Sequence, residues 1–308
     1  MQIGFEAEYA TNVTTLTTQL HQDGLVGDSQ LHAYHCSCMT CDFHDSEFPF
    51  RVQRDSSCGG EVISGIVDNR FELARLTTGL QDAAVATDAV PGYSAGFHVH
   101  SSVEDFLIRD KAQVVRAFLG WEPTLIHLAR GCFAETRNFN TGFRDNASYQ
   151  FENSMFDCGL SPVQANGAVR TRSWWKANLE ATADNDDFNC DMFRRLQRTM
   201  DRHATLAIRE SNYPTFEFRL WNSTRSAWRM NLFVGLSVAF GDPDFCRQLE
   251  AADLPIQAAN GVTRLAEALD TFPVRGNVPD LPEMCLRQAH YQQADKAHDG
   301  YAMTVNVL

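Results

Sequence analysis

Four short segments of this chain alternate apolar residues with charged or imidazole-bearing ones at a period of two. They read "IGFEAEY", "GGEVIS", "GFHVHSS" and "TFEFRLWN". Because successive side chains of a strand point to opposite faces, the pattern predicts strands with one apolar and one charged face, at about 2–9, 60–65, 95–101 and 214–221. Such strands constrain the fold strongly, since each charged face must lie in water or meet compensating charge.

The rest of the chain has mainly helical patterns. The predicted helices cover about 69–84, 110–130, 189–207, 225–240, 261–270 and 281–292. Helices outnumber strands and the two do not alternate regularly, so we predict an α+β fold with an antiparallel sheet flanked by helices rather than a doubly wound one. We expect one domain over residues 1–308, with an irregular Cys/His-rich insertion at about 24–58.

Composition restricts the partners of the chain. Its 308 residues are 44% hydrophobic, which is enough for one large core. The net charge of −13 and the pI of about 5.1 argue against a nucleic-acid-binding surface. The sequence contains no run of about 18 apolar residues that would predict a membrane span. It enters the first strand without the basic and apolar regions of a secretory signal, so we expect a cytoplasmic protein with reduced cysteines.

If the four strands share a sheet, their charged faces merge into one patch. That patch and its immediate surroundings contain Glu6, Glu8, Asp55, Glu61, His98, His100 and Glu217. Burial of unpaired carboxylates is costly, whereas hard divalent cations bind carboxylate oxygens readily. We therefore interpret the patch as a metal site. The alternative is a set of solvated strand faces carrying ordinary surface pairs.

These segments, in this order, resemble the motifs of the amidoligase family in the carboxylate–amine ligase superfamily. The similarity rests on "IGFEAEY", "RDSSCGGEVIS", "SAGFHVHSS" and "TFEFRLWNST" followed by an amphipathic helix, and it is strongest to the phage and bacterial branch. The resemblance implies a curved antiparallel sheet that forms an active-site funnel, a fold of the glutamine synthetase and glutamate–cysteine ligase type. It also implies that ATP and Mg²⁺ bind inside the funnel.

The resemblance also implies roles for individual residues. One magnesium ion would be bound by Glu6, His98 and Glu217. Other magnesium ions would be bound by Glu8 and Glu61, with Asp55 nearby. Together with Arg219, the residues expected to be catalytic are Glu6, Glu8, Glu61, His98 and Glu217. His100 fits the H-V-H motif as a further magnesium ligand.

Three arginines are candidates for binding the nucleotide or the substrate. Arg219 resembles the family's arginine that contacts the ATP phosphates. Arg130 and Arg137 lie close to the end of a predicted helix, where a guanidinium can bind a carboxylate or phosphate with two hydrogen bonds. The implied reaction transfers the γ-phosphoryl group of ATP to a small-molecule or peptide carboxylate, and an amine then displaces phosphate from the acyl phosphate.

The segment "HAYHCSCMTCDFH" concentrates cysteines within the insertion. Three thiolates and one imidazole would complete a tetrahedral zinc site, for which we predict Cys36, Cys38, Cys41 and His44. A fourth thiolate from Cys58 is an alternative to the histidine, and a loop of free thiols is the alternative to zinc. A structural metal would explain how an insertion with few apolar residues holds its shape.

Three other functions are compatible with the same patterns. A kinase of the same fold would phosphorylate a guanidine or another nitrogen instead of a carboxylate. A zinc or iron hydrolase or oxygenase would use the H-V-H histidines with one carboxylate as a facial set. A non-enzymatic interaction module would use zinc as a staple and leave its acidic strands solvated.

Overall fold

The computed structural model describes most of the chain outside one long central segment. The described residues are 2–34, 36, 47–56, 58–67, 69–92, 95–129, 206–209, 214–252, 261–272, 274 and 280–297. Their strands are β1 (Ile3–Tyr9), β2 (Phe50–Gln53), β3 (Gly60–Ser64), β4 (Gly96–Ser102), β5 (Leu206–Arg209) and β6 (Thr215–Asn222). Their helices are α1 (Val13–Gln22), α2 (Arg70–Ala86), α3 (Ile108–Ala129), α4 (Ala227–Gly241), α5 (Pro243–Ala251), α6 (Gly261–Thr271) and α7 (Leu281–Ala297).

The six strands form one open, curved sheet in the order β2-β3-β1-β4-β6-β5. Every neighbouring pair in it is antiparallel. The prediction of an α+β fold with a curved antiparallel sheet and flanking helices is therefore confirmed. The four strands predicted from alternation are β1, β3, β4 and β6, and they lie next to one another in the middle of the sheet.

The apolar faces of the central strands pack together beneath the helices. Phe5 of β1 and Phe97 of β4 stack with ring centroids 5.4 Å apart, and both are almost fully buried. Helix α3 places Phe118 against Phe218 of β6, with centroids 5.9 Å apart. Burial of such aromatic rings contributes strongly to stability, about 25 cal/mol for each Å² removed from water. The polar residues lie on the opposite face of the same strands.

A β-bulge lies where β4 pairs with β6. Val99 pairs with Phe218, but Phe97 pairs with Trp221, so His98 alone faces two residues of β6. Bulges of this kind change which face the following residues occupy. Here the extra residue brings Trp221 to the apolar side of the sheet. Its ring stacks on that of Phe233 in α4, with centroids 4.8 Å apart, and its indole N–H donates to the Ser237 hydroxyl.

Several elements differ from the sequence predictions. The strands β2 and β5 and the helices α1 and α5 were not predicted. The segment 24–58 was predicted to be irregular, yet it supplies β2. The helix predicted over 189–207 is wrong at its end, because residues 206–207 belong to β5, and the rest of that prediction lies outside the described residues. Strands of four residues at the sheet edges are too short to show a period, which explains why β2 and β5 were missed.

The described elements share one apolar core. Buried residues of α2, α3, α4 and the six strands form a continuous cluster. Among the described helices, none is long and apolar enough to cross a membrane. Residues 139–190, for which the sequence predicts no definite structure, lie outside the described part of the chain.

Candidate active site

The polar face of the central strands brings the predicted site residues together. Three cross-strand pairs do this: Glu6 with His98, Glu8 with Glu61, and Glu217 with His100. Since β1 lies between β3 and β4, Glu8 faces an acid on one side of it and Glu6 faces an imidazole on the other. Pairing of this kind puts side chains about 4.5–5.5 Å apart at Cβ.

The first cluster, here called the histidine set, consists of Glu6, His100 and Glu217. One ligand atom from each residue lies within 4.8 Å of the others. His100 Nε2 is 3.5 Å from Glu6 Oε1. Ligands on opposite sides of a Mg²⁺ ion are about 4.2 Å apart, so this spacing fits a single cation. An imidazole with two carboxylates also suits Mn²⁺.

The second cluster, here called the carboxylate set, consists of Glu8, Asp55 and Glu61. Its ligand atoms also lie within 4.8 Å of one another. The Gly96 N–H donates to Glu8 Oε2 at 2.6 Å, and the Gln53 amide donates to Glu61 Oε1. Three carboxylates, two of them oriented by donors, are the ligands that a hard cation prefers.

His98 lies between the two sets. Its Nδ1 is 3.2 Å from Glu6 Oε2 and 3.9 Å from Glu217 Oε1, and its Nε2 is 3.7 Å from Glu8 Oε1. The resemblance assigned His98, with Glu6 and Glu217, to one magnesium and gave His100 as a further magnesium ligand. Both histidines contact Glu6, but the three-residue set with Glu217 contains His100.

A glycine makes room for His98. A Cβ atom at Gly96 would lie 2.6 Å from His98 Nε2, which is closer than atoms in contact approach. The same residue donates its N–H to Glu8, as described above. Gly96 therefore leaves room for the close approach of the imidazole, and its backbone N–H orients a carboxylate.

Two arginines neutralise the most buried carboxylate of the histidine set. Arg209 Nε donates to Oε2 of Glu217, and Arg219 Nη1 donates to Oε1. The Glu217 side chain is 2% exposed, whereas those of Arg209 and Arg219 are 38% and 21% exposed. A carboxylate has about four lone-pair sites, so these bonds leave capacity for a cation.

Charged neighbours and burial shift the pKa values of the histidine set in opposite directions. Burial raises the pKa of Glu6, but hydrogen bonds with His100 and His98 outweigh it and hold that pKa well below the usual value. Burial lowers the pKa of His100, but the contact with Glu6 outweighs it and the net shift is upward. Burial also raises the pKa of Glu217, and the charge of Arg219 is the main cause that lowers it overall. The set therefore favours charged side chains.

In the carboxylate set, burial outweighs the groups that lower the pKa values. Burial and the charge of Glu6 raise the pKa of Glu61 to about 7, although the hydrogen bond from Gln53 opposes the shift. Burial also raises the pKa of Glu8, against the lowering effect of His98. Acids that cannot all be charged without help form a site whose electrostatic energy improves when a cation binds.

Some predicted site residues lie outside the described part of the chain. They are Arg130, Arg137, Cys38, Cys41 and His44. Conversely, the structure shows two contacts that the sequence did not predict, from Arg209 and Gln53. Both belong to the short edge strands, β5 and β2, which gave no periodic signal.

The chain shows little similarity to known proteins. No family model matches the chain, and no curated protein is similar to it in sequence. Among solved structures, it is similar to the complex between the prokaryotic ubiquitin-like protein Pup and its ligase PafA. The TM-score is 0.43 and the identity is 10%, over 96% of this chain and 64% of that chain.

Proposed function

We propose that this chain is an ATP- and Mg²⁺-dependent ligase that joins a carboxylate to an amine through an acyl phosphate. The observation that best supports the proposal is the adjacency of two three-residue sets on one sheet face. His98 lies within 4 Å of carboxylates from both. Phosphoryl transfer needs positioned cations and an arginine more than covalent help from the protein, and the site has residues suited to both.

The donor atoms of the site fit the cation. Five carboxylates belong to the two sets: Glu6, Glu8, Asp55, Glu61 and Glu217. The two guanidiniums on Glu217 balance part of this charge. The histidine set and the carboxylate set would hold the ions, which, when bound, neutralise and orient the phosphates of ATP.

The chain's own polar groups have defined tasks in this proposal. Arg219 is partly exposed beside Glu217, so its remaining N–H groups can donate to the phosphates and steady the developing charge. Asn222, opposite Gly96 in the register, has a buried amide nitrogen that lacks a hydrogen-bond partner among the described residues. That nitrogen offers a donor to a bound carboxylate or phosphate.

The proposed chemistry has two steps. A carboxylate oxygen of the substrate attacks the γ-phosphorus of ATP, which gives an acyl phosphate and ADP. The amine nitrogen then attacks the acyl carbon, loses a proton, and phosphate leaves with the bonding electrons. Because the leaving group has changed from oxide to phosphate, the second step becomes accessible at neutral pH.

The geometry is less favourable to a hydrolase or oxygenase with two histidines and one carboxylate on a single metal. Neither of the two three-residue sets contains both His98 and His100. A kinase of the same fold would use the same site, so the product distinguishes the two reactions.

The test is an interception experiment. The protein is incubated with Mg·ATP, hydroxylamine and a panel of amino acids and short peptides with free carboxylates, and products are followed by mass. The ligase proposal expects ADP, phosphate and a hydroxamate, all reduced in the Arg219→Ala variant. A phosphorylated nitrogen product would replace the proposal with the kinase. Turnover of panel compounds without nucleotide would replace it with the hydrolase or oxygenase.

A further inference from the structure

The two histidines of β4 differ in what their ring nitrogens face. Both nitrogens of His98 face carboxylates, with Nδ1 3.2 Å from Glu6 Oε2 and Nε2 3.7 Å from Glu8 Oε1. In His100, Nε2 is 3.5 Å from Glu6 Oε1, whereas Nδ1 is 3.3 Å from the hydroxyl oxygen of Thr215. His100 therefore has one ring nitrogen towards the acids of the histidine set and the other towards a neutral hydroxyl.

The register of β4 and β6 explains why Thr215 reaches this imidazole. His100 pairs with Glu217, and Thr215, two residues earlier on β6, pairs with Ser102. Residues two apart on a strand share a face, so Thr215 lies on the polar face and diagonally across from His100. The pairing is regular from Val99 to Ser102, because the bulge lies on the other side of Val99. The contact is thus a consequence of the sheet itself.

A cation at the histidine set needs the lone pair of His100 Nε2. A neutral imidazole carries one proton, so this lone pair is available only when the proton lies on Nδ1. The Thr215 hydroxyl oxygen is at hydrogen-bond distance from that nitrogen and can accept from its N–H. Metal-binding histidines usually donate from their second nitrogen to an acceptor in this way, which fixes both the tautomer and the orientation of the ring.

We propose that Thr215 is a positioning residue of the histidine set: its hydroxyl holds the proton of His100 on Nδ1, so that Nε2 can bind a divalent cation together with Glu6 and Glu217. The inference rests on the cation-binding part of the proposed function. It gives the two histidines different tasks. His100 is the ligand that a neutral group orients, whereas His98, with a carboxylate facing each nitrogen, links the two sets.

The opposite arrangement of protons gives the contrary prediction. If the proton lies on Nε2, it donates to Glu6, and the Thr215 hydroxyl donates to Nδ1. No lone pair of His100 then faces the histidine set, and the hydroxyl opposes cation binding. Removal of the hydroxyl should therefore weaken cation binding in the proposed arrangement and strengthen it in the opposite one.

The first test measures cation affinity in the full-length protein, without nucleotide and without any assay of the ligase reaction. Thr215→Val removes the hydroxyl and keeps a β-branched side chain that suits a strand. In calorimetric titration with Mn²⁺, we expect the affinity of the histidine set to fall about 10-fold and that of the carboxylate set to stay within about 2-fold. The same titration in a Glu61→Gln background identifies the signal of the histidine set.

Two further variants separate the hydroxyl from its surroundings. Thr215→Ser keeps the hydroxyl and should restore parental Mn²⁺ affinity. Ser102→Ala is the matched control, because Ser102 pairs with Thr215 in the sheet but its hydroxyl accepts from the Glu104 N–H. This variant should bind Mn²⁺ as the parent does.

The second test locates the proton on the ring. In Mg²⁺-loaded protein with isotope-labelled histidine, heteronuclear NMR should show His100 protonated at Nδ1, with a slowly exchanging proton, and unprotonated at Nε2. The slowly exchanging proton should be lost in Thr215→Val and kept in Thr215→Ser. A threonine that merely supported the strand would leave this signal unchanged.

Five results would overturn the inference. They are a parent that binds no cation at the histidine set, unchanged or tighter binding in Thr215→Val, equal weakening of both sets, a Thr215→Ser variant as weak as Thr215→Val, and a cation-loaded His100 protonated at Nε2. Absence of a hydroxamate with the expected binding pattern intact would count against the ligase reaction alone. Failures of the two proposals are therefore distinguishable.

Discussion

The histidine set and the carboxylate set lie on the same sheet face, with Glu6 and Glu8 only two residues apart on β1, yet they balance their charges in opposite ways. In the histidine set, imidazoles and guanidiniums keep the carboxylates charged, and the pKa values of Glu6 and Glu217 are lowered. In the carboxylate set, burial dominates and the pKa of Glu61 rises to about 7. The protein's own cationic side chains offset much of the charge of the first set, whereas burial in the second favours the neutral acids.

The largest expected effect is on catalysis, and both sets should show it. Glu217→Gln and Glu61→Gln each remove a proposed metal ligand, so we expect turnover to fall by about 10³-fold in either variant. Steady-state kinetics with saturating Mg·ATP provide the measurement. Glu283→Gln, at an exposed position of α7, is the control and should keep parental activity. Parental turnover in both site variants would remove the two sets from the mechanism.

Arginine substitutions should sharpen the contrast within the histidine set. Arg219→Ala loses the proposed phosphate contact, and we expect kcat/KM to fall about 10²-fold. Arg209→Ala, whose guanidinium is more exposed and also bonded to Glu217, should lose about 10-fold. Comparison of the two variants under identical conditions tests the assignment, and a larger loss for Arg209→Ala would reverse it.

Stability should respond with opposite signs in the two sets. Glu217→Gln leaves two guanidiniums without their ionic partner and should lower the free energy of unfolding by about 2 kcal/mol. This is less than the 3–5 kcal/mol for fully buried pairs, because both arginines reach water. Glu61→Gln removes a carboxylate that burial disfavours, so the metal-free variant should be more stable than the parent at pH 8.

The gain in Glu61→Gln should depend on pH. In the folded parent the pKa of Glu61 is about 7, above the ordinary value of 4.5, so the folded state binds more protons between these values. The stability of the metal-free parent therefore falls as pH rises from about 4.5 to 7, by up to about 3 kcal/mol. Chemical denaturation of metal-free parent and variant should give equal stabilities near pH 4 and different ones at pH 8. A constant difference across this range would contradict the pKa assignment.

The smallest expected effect concerns the residue that supports Glu61. Gln53→Leu removes the amide donor, which should weaken cation binding at the carboxylate set about 10-fold. The histidine set has no direct bond to Gln53 among the contacts described, so its affinity should stay within about 2-fold. Calorimetric titration of Mn²⁺ resolves the two sets, and equal weakening of both would show that they are not independent.

The alternation of β1, β3, β4 and β6 was sufficient to predict the centre of the fold and the polar face. A strand period of two assigns each residue to a face without knowledge of its partners, so Glu6, His98 and Glu217 could be placed in one polar patch from sequence. Register could not be predicted in the same way. The bulge opposite His98 and the pairing of His100 with Glu217 depend on how the strands align, and alternation alone does not specify this.

The sequence pattern could not predict the contacts made by the two edge strands, β2 and β5. Arg209 and Gln53 belong to strands of four residues, and their importance comes from cross-strand contacts with Glu217 and Glu61. In each case a long-range contact gives an ordinary polar residue its proposed role.

The central claim is that two separate cation sites share one sheet face, and a count of bound ions tests it most directly. Mn²⁺ is titrated into the protein with a non-hydrolysable ATP analogue, and bound and free Mn²⁺ are distinguished by electron paramagnetic resonance. The account predicts at least two tightly bound Mn²⁺ ions in the parent, with spin coupling between them, and loss of one ion in Glu61→Gln and one in Glu217→Gln. A parent that binds a single Mn²⁺, or variants that both keep the full number, would contradict it.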